Sequence, residues 1–92
     1  MKKFIIERNI PGAGNLSAEE LQAISKTSNA VISVLGKPYK WVQSFVTGDK
    51  IYCIHEAEDE EAIREHGNCG GFPVDSIEEI KVVIDPTTAN PL

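Results

Sequence analysis

Few side chains in this 92-residue chain can do chemistry, and most fall in one stretch: Cys53, His55 and Glu56 within four positions, then His66 and Cys69. A neutral imidazole is the commonest protein ligand for a transition metal. His66 comes one turn after Ala62 and Ile63, on or beside the helix face that would meet a sheet. A structural histidine that fills space and bonds a carbonyl near the helix end would sit at the same place. His66 and Cys69 form H-x-x-C, and Cys53 and His55, two apart on a strand, share a side. The four make a Cys2His2 donor set, though their spacing is that of no zinc finger.

Glu7 and Glu56 would lie on adjacent strands if the first and third strands pair. They are then either a carboxylate pair for acid–base or metal chemistry, or ordinary partners for Arg8, Lys3 and Lys81. Cys53 reads as a small core residue rather than a nucleophile, and Cys69 as the more exposed thiol with no base placed for it. Gly67-Asn-Cys-Gly-Gly71 lacks the P-loop lysine and follows a helix instead of opening one. No catalytic set emerges, so the chain is not read as an enzyme.

The elements that hold these side chains follow from the apolar pattern. Residues 2–10 alternate, with Phe4, Ile6 and Ile10 on one side and Ile5 on the other, then stop at Pro11-Gly-Ala-Gly14. Ser17 and Glu20 form a capping box, with Leu16 and Leu21 as its hydrophobic staple. Leu21, Ile24, Ser28, Val31 and Leu35 then make one helix face, closed by Gly36 and Pro38.

Residues 41–47 and 50–57 form a hairpin around Gly48-Asp49, whose leading glycine suits a type II′ turn. This register sets Ser44 opposite Cys53 and Val42 opposite His55 on one face, and Phe45 with Tyr52 and Trp41 with Glu56 on the other. Asp59 caps a helix through about His66, with Glu60 and Glu61 favoured in its first turn by the helix dipole, and Gly67, Gly70 and Gly71 end it. Residues 76–85 read as the last strand, with Ile80, Val82 and Ile84 on one face, and residues 87–92 as a polar tail without pattern.

The order strand, helix, strand, strand, helix, strand is that of an α+β ferredoxin-like βαββαβ sandwich, here one domain over residues 1–86. Two helices cover one face of a four-stranded antiparallel sheet. The hairpin is apolar on both faces, so a second copy is expected over the open one, giving a homodimer with the geometry of a dimeric α/β barrel. Trp41 and Tyr52, with Glu56, would line a pocket between the two sheets. A net charge of −5 with nine scattered basic residues argues against a nucleic-acid surface. No apolar run approaches the roughly 20 residues of a membrane helix, and Glu7 and Arg8 end the opening run too early for a secretory signal. A cytoplasmic protein is expected, with a single Cys53–Cys69 bridge left open.

The segments Phe4-Ile-Ile-Glu-Arg8, Trp41-Val-Gln-Ser-Phe-Val-Thr-Gly-Asp-Lys-Ile-Tyr-Cys53, Glu56-Ala57, Asp59-Glu-Glu-Ala-Ile-Arg-Glu-His66 and Val83-Ile-Asp-Pro-Thr-Thr-Ala89 carry a resemblance. They are similar to a small bacterial family of uncharacterised proteins, some of whose members are described as nickel-binding. The resemblance implies a ferredoxin-like dimer. It also implies a divalent transition metal, nickel or another, held by His66 with help from Glu56, His55 or Cys53. His66, Cys53 and Glu56 match the family pattern. His55 stands where an aromatic residue is expected, and Asn68-Cys69-Gly70 where the helix should continue. The rival readings are a small-molecule site or cofactor-independent enzyme in the open-face pocket, by analogy of fold alone, and an interaction module without a small ligand.

Overall fold

A computed structural model describes residues 1–92 and confirms the ferredoxin-like plan. Strands β1 (Lys2–Asn9), β2 (Tyr39–Val46), β3 (Lys50–Ala57) and β4 (Ser76–Glu79) form one antiparallel sheet in the order β2-β3-β1-β4, and helices α1 (Ala18–Val34) and α2 (Glu60–Gly70) pack on one face. The period-two pattern of β3 is complete: Ile51, Cys53, His55 and Ala57 are buried, and the residues between them are half-buried. Ile51, Cys53 and Ala57 make the core with Phe4 and Ile6 of β1, Ala13, and Ala62 and Ile63 of α2.

α1 starts as its sequence demands. Glu20 N donates to Ser17 Oγ at 3.1 Å and Ser17 N to Glu20 Oε1 at 3.0 Å, so two otherwise orphaned amides are satisfied. α2 is capped by Asp59, whose Oδ1 accepts from Ala62 N at 2.9 Å.

Five expectations are corrected. The hairpin keeps Ser44 opposite Cys53 and Phe45 opposite Tyr52, but a β-bulge between Trp41 and Gln43 shifts the register, so that Trp41, not Val42, faces His55. An extra residue on one strand reverses the sidedness of everything beyond it. Trp41 therefore turns to the helix side, where its Nε1 donates to Ser44 Oγ at 2.9 Å. The turn is not type II′, because Gly48 does not adopt positive φ. Its conformation is held from outside: Ile10 N donates to Asp49 O at 2.9 Å, Gly14 N to Gly48 O at 3.0 Å, and Gly12 N to Asp49 Oδ1 at 3.0 Å.

α2 does not stop at His66 but runs to Gly70, with Gly71 at φ 71° as its left-handed cap. Gly67 and Gly70 are instead places where the returning segment 72–74 lies against the helix. β4 ends at Glu79 rather than Asp85. Ile80 N makes a last bond to Lys3 O at 2.7 Å, and beyond it the chain leaves the edge of β1. Val82, Val83 and Ile84 are exposed as a result. The tail opens with an ordered 3-10 turn, Pro86–Ala89, capped by Asp85. No helix is long and apolar enough to cross a membrane.

Candidate functional site

The inner face of the sheet and the two helices bring both histidines together. His55 from β3 and His66 from α2 are each only 1% exposed, with ring centroids 5.0 Å apart at 78°. One nitrogen of each is engaged. Tyr39 Oη lies 2.6 Å from His55 Nδ1, and Ser28 Oγ of α1 lies 3.1 Å from His66 Nε2. The His66 ring is stacked between Tyr39, 5.1 Å away, and Phe72, 5.6 Å away. Its Nδ1 is buried without a hydrogen-bond partner. Such an orphan is uncommon, because a buried polar atom left unpaired loses the hydrogen bond that water gave it.

Arg8 supplies the only full charge beside them. It is 3% exposed and occupies the inner position of β1 after Phe4 and Ile6. Its Nε donates to Cys53 Sγ at 3.3 Å and its Nη1 to Pro73 O at 2.9 Å, and its guanidinium lies 5.5 Å from the Phe72 ring centroid. Burial, then His66 and Arg8, push His55 down to about 3. Burial and Arg8 push His66 down to about 4, against a weaker upward pull from Ser28. Burial also raises the Tyr39 hydroxyl above its usual range. At neutral pH the cluster is thus two neutral imidazoles, a protonated phenol and one guanidinium.

Arg8, His55 and His66 line a cleft of about 110 Å3 between α1 and the sheet. Leu21, Ile24 and Trp41 contribute apolar wall, Ser25 and Ser44 add hydroxyls, and no Asp or Glu is among the lining residues.

Of the residues singled out in the sequence, Cys53, His55, His66 and Trp41 converge on this cleft. Glu56 and Tyr52 alternate to the other face of β3, where Glu56 lies 3.9 Å from Lys40 and Tyr52 Oη 3.5 Å from Glu7. Trp41 and Tyr52 therefore do not share a pocket. Glu7 and Glu56 do not pair either. β1 and β3 are neighbours as expected, but Glu7 stands opposite Tyr52 and Glu56 opposite Lys3, and Glu7 bonds Lys50 Nζ at 2.7 Å. Cys53 is buried, Cys69 exposed, and both are free thiols. Tyr39, Ser28, Phe72 and the inward role of Arg8 were not anticipated. For Arg8 the signal was present, since Phe4-x-Ile6-x-Arg8 puts it on the buried side of β1.

No curated protein matches the sequence. Among solved structures, the crystal structure of SCO4226 from Streptomyces coelicolor A3(2) superposes with a TM-score of 0.76 at 19% identity, over 89% of this chain and 99% of that one. At that identity the likeness is one of fold. The profile of the SCO4226-like nickel responsive proteins matches residues 4–80, from the first buried residue of β1 past the end of β4, and the chain belongs to that family.

Proposed function

We propose that this protein binds a small organic molecule in the cleft between α1 and the sheet, as a homodimer in the cytoplasm. The cleft itself carries the reading. Its walls are largely apolar, and a few polar groups converge on it, the composition of a small-molecule site. This reading puts the pocket on the helix side rather than on the open sheet face. Support for the dimer comes from that open face, where Phe45 is 51% exposed and Tyr52 and Ile54 are half-covered. Two unpaired cysteines suit a reducing compartment.

A thermal-shift panel of small organic acids, amides and alcohols tests the ligand reading. A binder present at 100 times its Kd adds about 2.7 kcal/mol, a rise of roughly ten degrees or more for a domain of this size. Trp41→Ala removes a wall of the cleft and is expected to abolish the rise. No response to any compound would end this reading. For the dimer, Phe45→Glu is expected to convert a dimer to a monomer in sedimentation velocity, and a wild type that sediments as a monomer would refute the assignment.

The adjacent histidines favour a second reading, in which a transition-metal ion, nickel by the family's description, is bound. The fit is incomplete. No three His, Cys, Asp or Glu side chains come together, Glu56 faces away, and the Arg8 charge opposes a second cation. Two imidazole nitrogens from one chain would need solvent or the second copy to complete a coordination shell. Calorimetric titration of chelator-stripped protein with nickel decides it. Micromolar binding that His66→Ala abolishes would favour the metal, whereas no heat, or equal heat in the variant, would remove His66 as a ligand.

A further inference from the structure

We infer that the ligand of this cleft is a small monocarboxylate, with its carboxylate on Arg8 and its apolar body against Leu21, Ile24 and Trp41. The inference rests on the small-molecule reading above and names the chemistry of its ligand.

Arg8 is a buried cation without a counterion. The ion pairs of this chain join Lys37 to Glu65, Lys40 to Glu56, Lys50 to Glu7 and Lys81 to Glu79, and Arg8 has none. A guanidinium carries five N–H donors, of which Cys53 and Pro73 take two. Taking such a charge out of water is costly unless an anion meets it, and a carboxylate meets it with two parallel bonds. No side chain lining the cleft can play that part, because none is acidic.

Arg8 bonds through Nε and Nη1 only, so it keeps unspent N–H donors beside the cleft that it lines, and a carboxylate can use them. His66 Nδ1 also lacks a partner, but it is sealed by its own burial and takes no part in the contact. The remaining lining sets the body of the ligand. A cavity near 110 Å3 is smaller than the engineered site of about 150 Å3 that takes benzene, and here the head group shares the space. The cleft is open on one side, so a short branched chain fits inside it and a single ring can project from its mouth. An amine would meet Arg8 as a like charge and is excluded.

The test is isothermal titration with isovalerate and benzoate against isovaleramide and benzamide, which have the same shape without the charge. In wild-type protein the acids are expected to bind about tenfold or more tightly than their amides. Arg8→Gln should close that gap, and Arg8→Lys should keep part of it. Arg8→Gln also loses the bonds to Cys53 and Pro73, so if it does not fold, the acid-to-amide ratio in wild type decides alone. Acids and amides binding equally would overturn the carboxylate assignment and leave the cleft as a ligand site. An acid preference that survives in a folded Arg8→Gln would also overturn it. No binding by acids, amides or the neutral alcohols would bring down both readings together.

Discussion

The wild-type fold is expected to lose about 3 kcal/mol of stability between pH 6.5 and pH 5, more than its surface carboxylates lose over that range. The cause is the buried histidine pair. In the unfolded chain each imidazole titrates near the ordinary value of 6.5, whereas in the fold His55 is held down to about 3 and His66 to about 4. A histidine with a depressed native pKa stays neutral in the fold while the unfolded chain takes up a proton. Stability is therefore full above about pH 6.5 and falls as pH drops toward the native values. Two such groups lose close to 1.4 kcal/mol each per pH unit once the unfolded histidines are charged. For a 92-residue domain with roughly 5–14 kcal/mol in total, that is a large fraction. The lowered carboxyls of Glu20 and Asp85 act in the same direction in a lower window, below the ordinary carboxyl values of 4.5 and 3.8. Urea midpoints from pH 7.5 to 5 measure the slope. His66→Phe keeps a ring between Tyr39 and Phe72 and should halve it, and adding His55→Phe should flatten it. A midpoint that does not move from pH 7 to pH 5 would show that the histidines titrate alike in both states.

Those two histidines also show how far the sequence leads. Their types and the helix and strand beneath them are legible, because Asp59 caps α2 and β3 alternates without a break. Their meeting is not, since it depends on how α2 lies across the sheet, and only local spacing is written in the chain. The Ser17 capping box was equally plain. The bulge at Val42 was hidden, because an extra residue in β2 leaves no mark in a run of alternating apolar side chains, and it carried Trp41 from the open face to the cleft. The end of β4 was hidden for another reason. Residues 80–84 have a strand's pattern, but a strand needs a neighbour, and where the pairing with β1 stops, after the Ile80–Lys3 bond, is not written in that pattern. Arg8 is legible in the alternation of β1, but its type points the other way, because arginine is mostly an exposed residue.

Gly67→Ala is expected to destabilise the protein by about 1–2 kcal/mol, although alanine is the better helix former by about 1 kcal/mol. Gly67 lies inside α2 and is buried. A Cβ built there would come within 2.8 Å of Val74 Cγ2 and 3.1 Å of the Phe72 carbonyl oxygen. Val74 can rotate, but the Phe72 backbone cannot withdraw freely, because Phe72 N is bonded to Gly67 O at 2.8 Å. Overpacking against fixed backbone reaches about 3 kcal/mol, which exceeds the helix gain. The displacement also reaches the cleft. Segment 72–73 carries the ring stacked on His66 and the carbonyl that holds Arg8 Nη1, so benzoate should bind less tightly to this variant without any ligand contact being removed. Gly48→Ala is the control. No atom lies within 4 Å of a Cβ at Gly48 and its φ is not positive, so its effect should stay within about 0.5 kcal/mol. Urea midpoints and benzoate titrations on the two variants give the comparison. If Gly67→Ala is as stable as wild type, the return segment is free to move, and the glycine serves neither the packing of α2 nor the shape of the cleft.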